Sequence, residues 1–279
     1  MKVISTRAAV NTQMLLLAKE NKTIGFVATM GALHEGHMEL IRISKKQNDI
    51  TLCSIFVNPL QFNKLEDLKK YPQSLEQDIR FLEEEGCDFL FAPIAEEFYK
   101  NVIKEEYNFG ILGKVMEAEY RPDHFEGVAT VISELFKAVC PTRAYFGEKD
   151  YQQLAVINWL VHHEKSQVEI VACSTVRNDD GLALSSRNKR VSKEGIKIAT
   201  KIFETMSFCK SNLDNLSPKD LTSKAIGELS NEFEVEYLEI VDERSFEKHE
   251  EWKENVPYRV FVAANLEGVR LIDNLSLNH

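Results

Sequence analysis

The chain has 279 residues, of which 44% are hydrophobic and 28% charged, with only 12 Gly and 7 Pro. That length suits about two domains, and the composition excludes collagen-like, low-complexity and disordered classes. The net charge of −10, with Lys and Arg scattered among acids, argues against a nucleic-acid or anionic-membrane surface, so any anionic ligand must be met by local positive charge. The longest aliphatic run, Met14 to Ala18, is far short of the ~20 residues that span a bilayer, and no charged-then-apolar leader opens the chain. A cytoplasmic protein without membrane contact is expected. The 5 cysteines include no C-x-x-C pair, which points to reduced core thiols instead of a disulfide framework or a zinc site.

In chain order, strands are expected at Thr23 to Thr29, Thr51 to Val57, Phe89 to Ala92, Arg143 to Phe146 and Val168 to Cys173. Between them, Glu35 to Gln47, Ser74 to Glu85, Val128 to Val139 and Tyr151 to His163 have helical spacing and are long enough for right-handed crossovers. After Arg187 come helical stretches at Lys193 to Lys210 and Pro218 to Glu232, with an Asn- and Ser-rich loop, Ser211 to Pro218, between them. Strands follow around Val235 to Val241, Arg259 to Ala264 and Val269 to Ile272. The expected fold is a Rossmann-like, doubly wound α/β parallel-sheet domain over 1–180, followed by a smaller α+β domain over 181–279.

Five segments could carry chemistry. Thr29 to His37 joins the first strand to a helix and holds Gly31, Gly36 and two histidines, His34 and His37, at i and i+3. Neither G-x-G-x-x-G nor G-x-x-x-x-G-K-[ST] occurs. Free amides and the helix dipole there favour an anion, and two imidazoles on one face can donate to phosphate oxygens; a capping pair is the alternative. Phe56 to Asn63 places Asn58 and Gln61 at a proline turn, fit either to orient a polar substrate or merely to close the turn. Gly147 to Gln153, with Lys149, again follows a strand's carboxyl end and reads as a phosphate contact or a solvated helix start. Val176 to Asn188 ends in Ser185, Ser186 and Arg187, a clamp for phosphate oxygens or a polar linker. Tyr120 to Gly127 sets Arg121 and His124 before a helix, as site residues or as a solvent-facing loop.

Taken together, these segments resemble the pantoate–β-alanine ligase family of the nucleotidyltransferase superfamily, which includes class I aminoacyl-tRNA synthetases. The resemblance is collinear from Thr29 to Asn188; the first segment looks like the superfamily's His-x-Gly-His element and Ser185 to Arg187 like the counterpart of its Lys-Met-Ser-Lys-Ser loop. Arg270 to Asn274 looks like the family's closing strand, whereas 188–258 carry little recognisable pattern. Leu184 stands where the family often has Met, and Asn178-Asp179 where Glu-Ala is frequent; neither departure removes a group the chemistry needs.

The resemblance implies an ATP-dependent condensation of pantoate with β-alanine through a pantoyl adenylate. Met30, Gly31, His34 and His37 would then meet ATP, with Gly147, Glu148, Lys149, Asp150, Val176, Leu184, Ser185, Ser186 and Arg187 completing its site. His37, His34, Lys149 and Arg187 would be the catalytic groups. Gln61 and Gln153 would hold pantoate, Gln61 also lying near β-alanine, with Asn58, Tyr71, Arg121 and His124 behind them. The triphosphate implies Mg²⁺, for which Asp78 and Asp150 are candidate ligands, and a homodimer is expected. Two other readings remain: a nucleotidyltransferase acting on a phosphopantetheine or nicotinamide nucleotide, and a module that senses ATP without turning it over. Amide-rich Asn58 to Gln61 speaks against the first, and the set His34, His37, Lys149 and Arg187 against the second.

Overall fold

The computed structural model describes residues 1–278 except 64, 101, 103 and 104, and its contacts divide the chain into two units. The first unit comprises 1–109, 121–148 and 152–174. Along it run β1 (Lys2–Ile4), α1 (Arg7–Lys19), β2 (Ile24–Thr29), α2 (Glu35–Gln47), β3 (Ile50–Ile55), α3 (Leu65–Lys70), α4 (Leu75–Glu84), β4 (Phe89–Phe91) and α5 (Ala95–Phe98). The second unit claims α6 (Glu117–Tyr120); then come α7 (His124–Val139), β5 (Arg143–Gly147), α8 (Tyr151–His163) and β6 (Glu169–Cys173).

The strands of this unit pair in parallel, in the order β1-β4-β3-β2-β5-β6. β2 and β3 are buried along nearly their whole length, which explains why they read as continuous apolar runs instead of alternating ones. α7 is likewise buried on almost every side and is apolar all round. From β2 the chain steps outward to β3 and β4, then returns to place β5 on the other side of β2. Strand order therefore reverses between β2 and β5. The crevice beyond their carboxyl ends, Thr29 and Gly147, is where a doubly wound sheet binds ligands.

The second unit comprises 110–120, 149–151 and 175–279. It holds α9 (Lys193–Ala199), α10 (Lys201–Ser211) and α11 (Pro218–Leu229) against an antiparallel sheet of β7 (Glu234–Asp242), β8 (Tyr258–Leu266) and β9 (Val269–Ser276), in that order. Met206, Leu221 and Ala225 of the helices pack on Val260, Val262 and Leu271 of the sheet. β8 and β9 are joined by Glu267 and Gly268, both at positive φ, as a two-residue hairpin turn requires.

Where the sequence suggests one boundary near 180, the contacts assign two earlier excursions, 110–120 and 149–151, to the second unit. The first is tied there by Glu117, whose oxygens accept from Arg270 at 2.7 and 2.9 Å and from the Tyr237 hydroxyl at 2.6 Å. Burial, reinforced by the Glu117 charge, pushes the Tyr237 hydroxyl well above its ordinary pKa, so it stays a donor.

Candidate active site

The chain leaves β2 through two successive left-handed residues, Gly31 (φ 80°) and Ala32 (φ 50°). For an alanine this conformation costs about 1–2 kcal/mol, so something must hold it. Asp78 does: its Oδ2 and Oδ1 accept from the backbone N–H groups of Ala32 and Leu33, each at 2.9 Å. Ser74 Oγ donates to the same Oδ1 at 3.2 Å, and Asp78 is only 1% exposed. Both carboxylate oxygens, expected from the sequence as candidate metal ligands, are engaged with protein donors and hold the loop.

The loop delivers His34 as the N-cap of α2, in extended backbone (φ −145°, ψ 174°). One turn on, His37 accepts the His34 backbone N–H at Nδ1, 3.3 Å away, and the two ring centroids are 4.0 Å apart. An Nδ1 that accepts leaves the proton of the neutral ring on Nε2, which makes Nε2 the donor atom of His37. A donor beside the positive end of a helix dipole suits an anionic ligand.

After β3, Asn58 caps the turn Pro59–Gln61, accepting at Oδ1 from the Leu60 N–H (3.0 Å) and the Tyr99 hydroxyl (2.6 Å). Its Nδ2 donates to the Gly127 carbonyl (3.0 Å) and to Gln61 Oε1 (2.9 Å). Both amide atoms of Asn58 are therefore partnered, and one of these bonds holds Gln61. The Gln61 side-chain amide donates to Met30 Sδ at 3.2 Å, while the Gln61 backbone carbonyl accepts from Arg121 Nη2 (3.3 Å) and His124 Nδ1 (2.9 Å). Residues expected from separate segments thus converge on Gln61. α7 approaches this turn so closely that a Cβ at Gly127 would lie 2.4 Å from the Leu60 carbonyl oxygen. Tyr71 is buried with its ring edge-on to Phe62, supporting the turn, and Gln153 stands half-buried in the first turn of α8.

Gly147 ends β5, and Glu148 begins a single 3₁₀ turn that continues into the second unit. There the Lys149 side chain is 15% exposed, with its ammonium 4.0 Å from Asp150, whose side chain is 46% exposed. Leu184 donates its N–H to the Val176 carbonyl (3.0 Å), closing a loop pinned by an antiparallel bridge between Arg177 and Ala183. Ser185 then caps the turn Ser186–Arg190, its Oγ accepting from the Arg187 N–H at 3.2 Å. The hydroxyls and guanidinium expected to clamp phosphate lie together at this turn.

Four of the five cysteines, Cys53, Cys87, Cys173 and Cys209, are buried and held as thiols, which makes them poor nucleophiles. Burial pushes the Cys87 thiol up to about 12 and those of Cys173 and Cys209 up to about 11, and raises Cys53 well above its usual value.

The family model described as pantoate-beta-alanine ligase matches residues 2–276. The chain belongs to the pantoate-beta-alanine ligase family. It is 44% identical to the pantothenate synthetase of Cytophaga hutchinsonii, over 92% of each chain. It is 42% identical to that of Bacteroides thetaiotaomicron, over 99% of this chain and 98% of the relative. Among solved structures, pantothenate synthetase from Thermus thermophilus superposes with a TM-score of 0.92 at 38% identity, covering 100% of both chains. Pantoate-beta-alanine ligase from Francisella tularensis, complexed with beta-gamma ATP and beta-alanine, superposes at 0.82 with 36% identity, over 99% of this chain and 98% of that one. The family's parallel sheet with a small antiparallel domain is the fold found here.

Sequence reasoning missed three supporting residues: Asp78 as the loop clamp, Tyr99 as the partner of Asn58, and Asn274, which donates to the Lys149 carbonyl at 2.8 Å. For Asp78 and Asn274 the one signal was a polar side chain set among apolar positions, because such groups are retained inside only with partners; nothing local marks Tyr99.

Proposed function

We propose that the chain condenses pantoate with β-alanine, consuming ATP and releasing AMP and pyrophosphate through a pantoyl adenylate. The observation that carries this reading is the 3.2 Å contact of Gln61 Nε2 with Met30 Sδ, which sets the turn read as the pantoate site against the histidine loop read as the ATP site. The ligands bound to the Francisella relative support it.

A carboxylate does not acylate an amine in neutral water, because hydroxide is a poor leaving group. In the first step one pantoate carboxylate oxygen bonds to the α-phosphorus, the bond from that phosphorus to the bridging oxygen breaks, and pyrophosphate leaves. The unprotonated β-alanine amine then bonds to the acyl carbon, the acyl–oxygen bond to AMP breaks, and the amine's proton passes to solvent. The protein's share is positioning and neutralisation of phosphate charge. His34 and His37 donate to phosphate oxygens, while Lys149 and Arg187 balance charge on the departing pyrophosphate, aided by Ser185 and Ser186. Gly31, Gly147, Glu148, Val176 and Leu184 frame the nucleotide. Gln61 and Gln153 hold pantoate, and the Asn58, Arg121 and His124 contacts keep Gln61 in place.

Mg²⁺ accompanying ATP would lower the charge that these side chains must balance. Asp150, half exposed beside Lys149, fits such an ion; Asp78, buried with both oxygens engaged, does not. Among the described residues no cluster of three or more His, Cys, Asp or Glu could hold a metal, which agrees with an ion carried by the phosphates. A cytoplasmic homodimer belongs to the same reading, and no helix among the described residues is long and apolar enough to cross a membrane.

The test is pyrophosphate release with pantoate and β-alanine supplied separately and together. Pantoate alone should give a single burst, both together sustained turnover, and β-alanine alone nothing. Release that depends on β-alanine but not on pantoate would overturn the assignment.

A further inference from the structure

β9 is an edge strand, yet it buries an acid and an amide side by side: Asp273 is 4% exposed and Asn274 3%. Successive residues on a strand face opposite sides, so the two serve different neighbours. Asp273, on the face of Leu271 and Leu275, takes both terminal nitrogens of Arg177, with Nη2 at 2.9 Å. Arg177 also donates to the carbonyls of Gly181 (3.0 Å) and Asn274 (3.3 Å), and its guanidinium lies 4.4 Å over the Phe203 ring. This fixes the start of the loop that ends at Ser185, Ser186 and Arg187.

On the other face, Asn274 Nδ2 donates to the Lys149 carbonyl at 2.8 Å, and its Oδ1 accepts from Arg259 Nη1 at 2.6 Å. Arg259 in turn lies 3.8 Å over the Tyr151 ring and donates to Glu243 at 3.2 Å. The Asn274 N–H donates to Asp273 Oδ1 at 2.8 Å, joining the two arrangements. A pair of apolar residues would bury here at lower desolvation cost, so packing alone does not call for this pair. What the pair supplies is direction: two segments remote in sequence are each bonded to one dipeptide.

We propose that Asp273 and Asn274 are positioning residues for adenylation, setting Lys149 and the Ser186–Arg187 turn at a fixed separation through β9. The inference rests on the roles given above to Lys149 and Arg187. Neither β9 residue is itself a catalytic group; each acts through the segment it holds.

Asn274→Asp is the informative variant, since it keeps the size and the Arg259 partner but turns the donor toward Lys149 into an acceptor. ATP–pyrophosphate exchange with pantoate should fall roughly 10- to 100-fold, the scale of a misplaced reacting group. Reaction of supplied pantoyl adenylate with β-alanine should proceed at the wild-type rate. In a Lys149→Ala background Asn274→Asp should cost nothing more, because its effect passes through Lys149. Asp273→Asn should behave in the same way toward Arg187→Ala. Equal losses in both half-reactions, or additive losses in the double variants, would show a merely structural pair and overturn the proposal. If Lys149→Ala slows exchange while Asn274→Asp does not, this proposal alone falls. If Lys149→Ala leaves exchange intact, the reading of Lys149 falls and takes this one with it.

Discussion

Asp78→Asn tests whether the histidine loop is held by the carboxylate beneath it. The substitution keeps the side chain's shape but points an amide NH₂ at a backbone N–H that now has an acceptor at 2.9 Å. Hydrogen bonds to a charged group contribute about 1.5–3 kcal/mol each, and leaving a buried donor unsatisfied costs about 1–3 kcal/mol. One of the two loop bonds survives, so the loop loses roughly 2–4 kcal/mol of restraint. That exceeds or equals the ~1–2 kcal/mol of left-handed strain at Ala32, and the loop is free to relax. A displacement of about 1 Å in His34 and His37 would then cost on the order of 10² in rate. ATP–pyrophosphate exchange with pantoate, measured beside urea unfolding, should show that loss together with a drop of about 2–4 kcal/mol in stability. Adding Ala32→Gly removes the strain and should recover part of the exchange. Wild-type exchange in Asp78→Asn, or a further loss on adding Ala32→Gly, would refute the reasoning.

Four other outcomes are expected. His37→Ala should lower kcat by roughly 10²-fold or more, with a smaller effect on KM for ATP; steady-state rates decide, and near-normal turnover would make the ring a cap only. Lys149→Ala should slow adenylation and spare the reaction of supplied pantoyl adenylate with β-alanine, as separate half-reaction assays would show. Cys87, Cys173 and Cys209 are held at about 12, 11 and 11 in the folded chain, above their ordinary 9.0. The folded form therefore keeps protons that the unfolded form gives up. This stability is fully present below about pH 9 and is lost as pH rises toward 11 and 12, so urea midpoints should fall along that limb and fall less in Cys87→Ser. In the native protein at neutral pH a thiol reagent should modify exposed Cys140 before the four buried cysteines.

The sheet was legible where strands are buried on both faces and helices carry one apolar stripe: α2 and α8 have the bounds read from spacing. β1 and α1 were not, because β1 is three residues long with only Ile4 buried, and α1 buries Val10 and Met14 while exposing Leu15 and Leu16. The stretch read as one helix from Lys193 to Lys210 is two, meeting at Thr200. α7 starts at His124, four residues before its apolar run suggests, after Asp123 turns the chain at φ 62°. For the site, motifs continuous in sequence were readable, since glycine, histidine and amide turns announce themselves locally. Asp78 holding Ala32, Tyr99 holding Asn58 and Asn274 holding Lys149 are pairs 46, 41 and 125 residues apart, and no periodicity records them.

The route of the carboxylate oxygen tests the central claim most directly. The histidine loop at the start of α2 is read as gripping a triphosphate from which pyrophosphate departs as a unit. Pantoate labelled with ¹⁸O in its carboxylate, incubated with ATP and β-alanine, should deliver one label to AMP and none to pyrophosphate, because the oxygen that bonds to the α-phosphorus leaves with it. Labelled inorganic phosphate accompanied by ADP would mean attack at the γ-phosphorus and an acyl phosphate, contradicting an adenylate route for this chain.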